Sequence, residues 1–527
     1  MSKGYLCIVL HAHLPYVHHP LESHLLEERW FFEALTETYL PLIKTFNNLI
    51  SEGVNFKVTL SLSPTLISML DSPLLQERYM AHLDKQRELA DLEVERTKSQ
   101  PDFNYVAKMY QEHLESAYNL YHVKYKANLI EAFKYLKDQG RIELITCAAT
   151  HGFLPLLNIH RPSVEAQLRV GAELFAEKFG RYPRGMWLPE CGYYYGLEDQ
   201  LAKVGIEYFF VDTHGLIFAS PRPKYGVLAP IRTNSGVYAF GRDTESSKQV
   251  WSSTEGYPGD FDYREYYRDI GYDLDYEYVK PYIHPDGIRI NTGFKYYRIT
   301  GKTDWKECYQ PDWARQKAAL HAGNFMFNRQ HQINYYASCM DNPPIIISPY
   351  DAELFGHWWF EGPMWLEFLM KKIHYDQNVI ETISPGDYLD RHHRIQQCTP
   401  CPSSWGNAGY NDVWLEGSND WIYRLLHKAS RQMIHVAGSM PHADGIYRRI
   451  LNQAARELLL AQSSDWAFIM KTGTMVEYAK RRTSTHIERF NRLLHALKEG
   501  QIDKKWLQEI ELEDNIFPSI DYKVYCS

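Results

Sequence analysis

The chain has 527 residues, of which 45% are hydrophobic, and its formal net charge is −8. That length exceeds one ordinary domain and predicts a large catalytic body with additions. Because the chain is mildly acidic, with a pI near 6.3, it offers no basic surface for nucleic acid or for an anionic membrane.

The N-terminal segment and the cysteines indicate a cytoplasmic protein. The first apolar run, Tyr5–Leu10, is too short for a signal peptide, and no apolar stretch approaches the ~18 residues of a membrane span. The eight cysteines are scattered along the chain, as reduced thiols are. Cys398 and Cys401 form a single C-x-x-C, which is weak support for zinc or redox chemistry without a second pair. We therefore expect neither a metal nor a cofactor.

Seven apolar segments are predicted to be strands, and helical spacing follows several of them. The last of these begins with the Ile345–Ile347 run, and we expect it to end at Ser348 and Pro349, because proline cannot donate to a strand ladder. The other six, in chain order, are Tyr5–Leu10, Phe56–Leu62, Ile142–Ala148, Gly185–Leu188, Tyr208–Val211 and Val237–Phe240.

Three further regions of the sequence do not fit this alternation of strands and helices. Residues from about 75 to 125 are polar and have helical spacing, and with the helix that follows they are longer than a single crossover helix. They are therefore predicted to be a helical insertion. Residues 251–299 are rich in tyrosine, glycine and charge, which favours a long functional loop over the mouth of a barrel. Residues from about 420 to 501 have helical spacing throughout.

Polar clusters follow six of the seven predicted strands. Histidines, carboxylates and an arginine would be found at both ends of the strands if they were only solvated residues. Parallel barrels place their chemistry at the carboxyl ends of the strands, so this one-sided distribution predicts an enzyme. The clusters are His11 with His13, His151, Glu190, Asp212 with His214, Arg242 with Asp243, and Asp351 with Glu353.

The stretch after the seventh strand places two acids among aromatic rings. Asp351 and Glu353 are followed by Phe355, Trp358 and Trp359. Apolar surroundings raise the pKa of an acid, which suits a group that protonates something bulky. The 39 tyrosines and 13 tryptophans of the chain also offer flat faces with polar edges that suit sugar rings. The alternative interpretation is a buried strand followed by an aromatic core and two solvated acids.

Five motifs extend over nearly the whole chain: H-A-H-L-P at 11–15, A-T-H-G-F-L-P at 149–155, W-L-P-E-C-G-Y at 187–193, S-P-Y-D-A-E-L-F-G-H-W-W-F-E-G at 348–362 and S-S-D-W-A-F at 463–468. With these motifs in this order, the chain resembles glycoside hydrolase family 57, in its group of α-amylase-like and 1,4-α-glucan branching enzymes. The resemblance implies an α/β fold, an incomplete (β/α)7 barrel with its helical insertion over residues 1–390. It also implies a C-terminal α-helical domain over residues 391–527 that contributes to the active-site cleft.

The same resemblance implies the roles of individual residues. Glu190 resembles the catalytic nucleophile and Asp351 the general acid/base. His11 and His13 are expected to line the subsite of the attacked sugar. The full set of expected substrate-binding residues is His11, His13, Trp30, His151, Arg242, Trp251, Trp405, Trp414 and Asp465.

The residue types suit a retaining mechanism on an α-glucan such as amylose, amylopectin or glycogen. Such a mechanism needs an ionised carboxylate and a protonated carboxyl about 5 to 5.5 Å apart. We expect Arg242 or a histidine to hold Glu190 ionised. Transfer to a sugar 6-hydroxyl would make the protein a branching enzyme. The alternative is an α-amylase, because residues 216–236 form a short loop with Tyr225 as its only tyrosine, whereas branching members often carry a longer one.

Two other classes of protein remain open at this stage. A metal-dependent polysaccharide deacetylase or mannosidase-like hydrolase could bind its metal with His11 and His13 together with Asp212 or His214, and a chelator would then abolish activity. A non-catalytic glucan-binding protein would keep every measurable function after Glu190→Gln. Neither outcome is expected from a carboxylate mechanism.

Overall fold

The computed structural model describes residues 2–23, 25–252 and 255–526. Its strands are β1 (Gly4–Ala12), β2 (Val58–Leu62), β3 (Ile142–Cys147), β4 (Gly185–Trp187), β5 (Tyr208–Val211), β6 (Ile231–Arg232), β7 (Tyr238–Gly241), β8 (Ile345–Asp351) and β9 (Ile380–Thr382). They form one sheet in the order β6-β7-β5-β4-β3-β2-β1-β8, and β9 pairs with β1. The pairing of β6 with β7 is antiparallel and the other pairings are parallel.

Seven of these strands are the seven predicted ones, and helices alternate with them along the chain as in a (β/α)7 barrel. The two ends of this parallel run, β7 and β8, share no strand ladder within the described ranges. A backbone hydrogen bond of 2.9 Å from the Asp243 N–H to the Ile347 carbonyl crosses the gap between them. The incomplete barrel expected from the sequence is confirmed.

The seventh predicted strand does not end where the sequence indicated. β8 continues through Pro349 to Asp351, with Pro349 opposite Val9 of β1. The proline is tolerated because β8 lies at the edge of the sheet, so its missing N–H interrupts no second ladder. Two very short strands, β6 and β9, were not predicted, since two or three residues carry no recognisable alternation.

The helices surround this sheet and continue beyond it. In the barrel half they are Glu28–Ala34, Leu40–Ser51, Pro64–Leu70, Pro73–Arg96, Pro101–Tyr118, Leu129–Asp138, Leu154–Leu157, Arg161–Phe179, Leu197–Lys203, Thr213–Ile217, Thr244–Trp251, Ile270–Asp273, Tyr276–Val279, Pro311–Ala337, Gly362–Tyr375 and Pro385–Arg391. In the C-terminal part they are Trp421–Ser439, Gly445–Ala461, Ser464–Thr472, Val476–Glu499 and Lys504–Glu513. No helix within the described ranges is both long and apolar enough to traverse a bilayer.

The helical insertion and the C-terminal helices occupy the predicted regions. The Pro73–Arg96 and Pro101–Tyr118 helices pack against each other within the expected insertion. The C-terminal helices dock on the loop after β3, where the Ser464 N–H donates to the His151 carbonyl at 3.0 Å. The division of the chain into two domains at residue 390 stays a prediction.

The barrel interior follows from the alternation of side chains along its strands. Successive residues of a strand point to opposite faces, so every second residue lines the interior. In β1 the buried interior residues are Tyr5, Cys7 and Val9, and in β8 they are Ile345 and Ile347. The same alternation carries His11 and Asp351 to the carboxyl ends of these two strands, where they are paired in register. The core packing therefore positions the first two side chains of the site.

Candidate active site

Glu190 lies on a tight turn just after β4. Its backbone has a φ of 60° and a ψ of 22°, in the left-handed region, and Cys191 follows with a φ of 52°. A residue other than glycine adopts this conformation at a cost of about 1–3 kcal/mol, and such residues cluster at functional sites. The turn is held by the backbone N–H of Trp405, which donates to the Glu190 carbonyl at 2.9 Å.

Both carboxylate oxygens of Glu190 accept hydrogen bonds from outside the barrel strands. The Trp405 indole N–H donates to Oε2 at 2.8 Å, and the Ser464 hydroxyl donates to Oε1 at 3.1 Å. Burial raises the pKa of Glu190 to about 7, and these two bonds, together with the charge of His13, oppose the rise. The sequence predicted that Arg242 or a histidine would hold Glu190 ionised; the charge of His13 does lower the pKa of Glu190, but the charge of Asp465 raises it by more, and the hydrogen bonds come from Trp405 and Ser464.

Arg242 lies close to the same wall of the site but acts on other groups. Its guanidinium lies 5.7 Å from the centre of the Trp405 ring and 3.7 Å from the Asp212 carboxylate. Its charge lowers the pKa of Asp351. Arg242 therefore supports the Trp405 wall and the second carboxyl group rather than binding Glu190.

Three histidines stack beside Glu190. The His13 and His151 rings lie 3.9 Å apart with 12° between their planes, and His11 Nε2 is 3.0 Å from His151 Nε2. Burial lowers the pKa of both His11 and His151 well below the usual value. These two rings are therefore neutral at pH 7, and one ring nitrogen donates to the other.

His13 is the charged member of this cluster. Burial disfavours its protonation, but the charge and hydrogen bond of Asp465, with His13 Nε2 at 3.1 Å from either carboxylate oxygen, outweigh burial and raise the pKa of His13. The pKa of Asp465 is lowered to about 2, because the interaction with His13 outweighs the effect of burial. The C-terminal helices thus supply an ion pair that lies next to Glu190.

Asp351 is the second carboxyl group of the site. Burial raises its pKa to about 8, and the charges of Glu353 and Glu190 raise it further, against the charges of His13 and Arg242. Glu353 is fixed by the Tyr39 hydroxyl and by the His13 backbone N–H, which donates to Oε1 at 3.2 Å. Asp351 therefore keeps its proton to higher pH than Glu190 does.

These groups open into one large cleft with a volume of about 1490 Å³. Two segments cover it, residues 258–268 and 299–306, and an ion pair of 2.8 Å between Lys306 and Glu265 joins them. Aromatic rings form much of the wall, including Tyr266, which stacks on Trp358 with ring centres 4.7 Å apart. The volume exceeds the ~300–1,000 Å³ of a site for one small molecule.

The structure brings together all but one of the predicted site residues. Trp30 is absent from the described lining of the cleft, and its ring packs edge-on against Tyr478 at 5.7 Å instead. Trp414 is nearly fully buried and stacks on Phe153 at 4.4 Å, so it supports the wall of the cleft. The predicted residues that line the cleft are His11, His13, His151, Glu190, Arg242, Trp251, Asp351, Trp405, Trp414 and Asp465.

Sequence reasoning missed several residues of the site. Ser464 bonds both Glu190 and His151, the latter at 2.8 Å to Nδ1, and Tyr39 bonds Glu353. Ser464 precedes Asp465 inside the S-S-D-W-A-F motif, so its position beside a predicted site residue was the available signal. Tyr39 carried no comparable signal, because it lies within a helical segment that spaces its apolar residues like any other.

A metal site formed by His11 and His13 with Asp212 or His214 does not occur among the described residues. His214 Nε2 donates to the Gly409 carbonyl at 2.7 Å, and Asp212 caps its own helix. His13, His151 and Asp465 do have ligand atoms within 4.8 Å of one another. His13 already bonds Asp465, and His151 already bonds Ser464, which suits a polar wall as well as a metal site.

Comparison with known proteins identifies the family. The model of glycosyl hydrolase family 57 matches residues 7–326, which is more than half of the chain. The chain belongs to glycoside hydrolase family 57. A second model, described as the C-terminal part of 1,4-alpha-glucan branching enzyme, matches residues 425–525. This second match contains Ser464 and Asp465.

Three relatives of this family-57 chain are similar over its full length. A 1,4-alpha-glucan branching enzyme of Thermococcus kodakarensis is 32% identical, covering 100% of this chain and 79% of its own length. The crystal structure of an alpha-amylase from Thermotoga maritima is 46% identical with a TM-score of 0.94, covering 100% and 99% of the two chains. The crystal structure of a branching enzyme from Pyrococcus horikoshii is 32% identical with a TM-score of 0.90, covering 100% and 97%.

Proposed function

We propose that the protein is a retaining 1,4-α-glucan branching enzyme, with Glu190 as nucleophile and Asp351 as general acid/base. The observation that carries this proposal is the pair of buried carboxyl groups that face one aromatic cleft: Glu190, held by hydrogen bonds from Trp405 and Ser464, and Asp351, whose pKa is raised by burial and by the charges of Glu353 and Glu190. A retaining glycosidase needs such a pair, because one carboxyl group must be ionised while the other is protonated.

In the first step, Asp351 protonates the glycosidic oxygen while the Glu190 carboxylate attacks the anomeric carbon. The C–O bond to the leaving chain breaks as the bond to Glu190 forms, and this produces a covalent glucosyl-enzyme. The hydrogen bonds from Trp405 and Ser464 hold the Glu190 oxygens in place for this attack. The neighbouring His13 cation favours the ionised nucleophile.

In the second step, the deprotonated Asp351 takes the proton of an incoming hydroxyl group, which attacks the same carbon and releases Glu190. A sugar 6-hydroxyl as acceptor yields an α-1,6 branch, whereas water yields hydrolysis. Excluding water and stacking an acceptor chain favours transfer. The segment covering the cleft and its exposed rings, such as Tyr267 and Phe261, supply a surface for that chain.

Residues 258–268, which cover the cleft, bear on the argument for an amylase that the short loop at residues 216–236 provided in the sequence analysis. Residues 216–236 are absent from the described lining of the cleft, whereas residues 258–268 contribute Tyr266 and Tyr267 to it. These two residues give the cleft the tyrosine side chains that the short loop does not supply. The match of residues 425–525 to a branching-enzyme model supports the same conclusion, because this part binds Glu190 through Ser464.

An α-amylase is the second candidate function. The specific observation in its favour is that the Thermotoga maritima structure, 46% identical to this chain, is named an alpha-amylase. Both functions share the glucosyl-enzyme step and differ only in the acceptor. The ratio of transfer to hydrolysis therefore decides between them.

The deciding experiment is product analysis on amylose, with reducing ends counted before and after an α-1,6-specific debranching enzyme. A branching enzyme gives new reducing ends that debranching alone releases. Reducing ends that appear directly, with none added by debranching, would identify an α-amylase. No change in either count, or loss of activity with a chelator, would contradict both carboxylate assignments.

Replacing Trp405 with phenylalanine should move the acid limb of the pH–activity profile to higher pH. Activity needs ionised Glu190, so it is lost as the pH falls through the pKa of that group. The indole N–H stabilises the ionised form, and its removal raises the pKa. A bond to a charged group accounts for about 1 pH unit or more, measured as kcat/KM on amylose against pH. Trp414→Phe is the control, because its indole N–H has no partner among the described residues, and its profile should stay in place.

Replacing Tyr267 with alanine should shift the products from branching toward hydrolysis. This ring lines the cleft and is 81% exposed, so it is available to an acceptor chain rather than needed for folding. We expect the ratio of α-1,6 transfer to reducing-end release to fall about 10-fold, by loss of roughly 1–1.5 kcal/mol of stacking. Tyr272→Ala, in an exposed ring outside the cleft lining, is the matched control. An unchanged ratio in Tyr267→Ala would contradict the acceptor role.

A further inference from the structure

The outer face of the Pro311–Ala337 helix carries a row of exposed apolar side chains. Trp313, Leu320, Phe327 and Tyr335 are each at least 53% exposed. A surface helix of a monomer normally buries its apolar stripe and shows polar residues to water. This helix already buries another stripe against the protein, formed by Ala314, Ala318, Ala322, Phe325, Arg329 and Ile333.

The four exposed side chains form one continuous stripe. At 100° per residue they project within about 80° of one another, and the helix is about 40 Å long. The one charged residue in this sector among the described side chains, Lys317, pairs with Asp262 of the barrel at 3.0 Å. The other residues within this sector are Asn324 and His331. The stripe thus resembles the core of an interface, from which charge is depleted.

We propose that a second copy of this chain docks on this stripe, with the two Pro311–Ala337 helices antiparallel about a twofold axis at Asn324. The axis places Trp313 opposite Tyr335 of the other copy, and it places Leu320 opposite Asn328, one residue (about 1.5 Å along the helix) from Phe327. A twofold interface must be complementary to itself, because the same patch is used twice. Here each large apolar residue meets an apolar residue of the other copy, either directly or one position away.

The exposed apolar area of the stripe can be compared with the area that a protein dimer needs. Aromatic side chains bury about 150–250 Å² each, so the exposed parts of the four side chains remove on the order of 500 Å² per copy. A stable interface needs about 800 Å² per partner, so residues that flank the stripe have to bury about 300 Å² more. A glucan would need a polar edge beside each ring, which the central Leu320 and Phe327 lack.

The helix also holds the segment that covers the cleft. The Tyr257 hydroxyl donates to Asn324 Oδ1 at 2.7 Å, and the Tyr263 hydroxyl lies 2.8 Å from His321 Nδ1. Residues 258–268 begin directly after Tyr257. A second copy seated at Asn324 would therefore lie against the base of the cover.

Sedimentation velocity on the intact protein across about 1–100 μM tests the proposal. The wild type should be dimeric, and Leu320→Glu should raise the dimer dissociation constant at least about 100-fold while leaving glucan-processing activity per chain intact. Leu512→Glu, which charges an exposed leucine on a different helix, should remain dimeric. A wild type that is monomeric at every concentration, or a Leu320→Glu variant that stays dimeric, would overturn the proposal.

A cysteine cross-link tests the position of the axis. In a background with the exposed Cys339 and Cys526 changed to serine, Asn324→Cys should form a disulfide-linked dimer under mild oxidation. Gln316→Cys should not, because the two copies of residue 316 would lie about 24 Å apart along the helices. Efficient linking of the Gln316→Cys variant, or none in Asn324→Cys, would overturn the antiparallel arrangement. If Trp313→Ala and Leu320→Glu instead weaken binding to amylopectin in a monomer, the stripe is a glucan-binding surface.

Discussion

Replacing Glu190 with glutamine should lower the rate of glucan cleavage and transfer by at least ~10⁴-fold. Glutamine cannot attack the anomeric carbon, and loss of a covalent nucleophile typically removes most of the acceleration. The substitution keeps the shape of the side chain. The amide oxygen can still accept from Trp405, and the amide N–H can donate to the Ser464 hydroxyl oxygen. The fold should therefore survive while the chemistry is lost.

The Glu190 measurement needs two substrates and a test of folding. The first substrate is amylose, with products counted before and after debranching, and the second is an α-maltosyl fluoride, whose leaving group needs no proton. The variant should be inactive on both, with a melting temperature close to that of the wild type. A variant that still cleaves the fluoride at the wild-type rate would remove Glu190 from the nucleophile role.

Replacing Asp351 with asparagine should separate these two substrates. Cleavage of amylose should fall by ~10³-fold or more, because a general acid contributes typically 10²–10⁴-fold and the alkoxide leaving group needs its proton. Release of fluoride needs no such proton and should show a rapid first turnover. The following attack by an acceptor lacks its general base, so the glucosyl-enzyme should accumulate. A burst of fluoride in stopped-flow measurements is the expected signal.

Glu353→Gln is the control for Asp351→Asn, because Glu353 is the neighbouring buried acid. Its charge raises the pKa of Asp351. Activity needs protonated Asp351 and is lost as the pH rises through its pKa, so removing the charge should move the alkaline side of the profile to lower pH. Amylose activity should otherwise remain. If Glu353→Gln lost activity while Asp351→Asn retained it, the assignment of the general acid would be wrong.

Local patterns in the sequence predicted the framework of the site well. Alternation in β1 and β8 continues past the buried residues to His11 and Asp351, so the positions of these two side chains follow from nearest-neighbour geometry, whereas the incomplete barrel was implied by the resemblance to glycoside hydrolase family 57. The polar residues after each strand likewise follow from the parallel arrangement. A pattern of a few residues contains all the information that these predictions needed.

The features that the sequence did not predict depend on contacts between distant segments. Nothing local indicates that Ser464 would bond Glu190, which lies 274 residues earlier. The left-handed backbone of Glu190 also depends on distant support, since Trp405 holds the turn. β8 passes through Pro349 because its outer edge has no strand partner among the residues that the structure describes, and strand order is a property of the whole sheet.

The dependence of Glu190 on the C-terminal helices has a consequence for how the protein becomes active during its synthesis. Domains emerge from the ribosome N-terminus first, at about 5–20 residues per second. The strand carrying His11 and the turn carrying Glu190 are made long before Ser464 and Asp465, which fix one carboxylate oxygen and the charge of His13. A nascent chain that ends before these residues has Glu190 and Asp351 but lacks the Ser464 hydroxyl, which bonds Glu190, and the Asp465 carboxylate, which bonds His13. Translation to the end of the S-S-D-W-A-F motif is therefore the step that completes the hydrogen bonds to both carboxylate oxygens of Glu190.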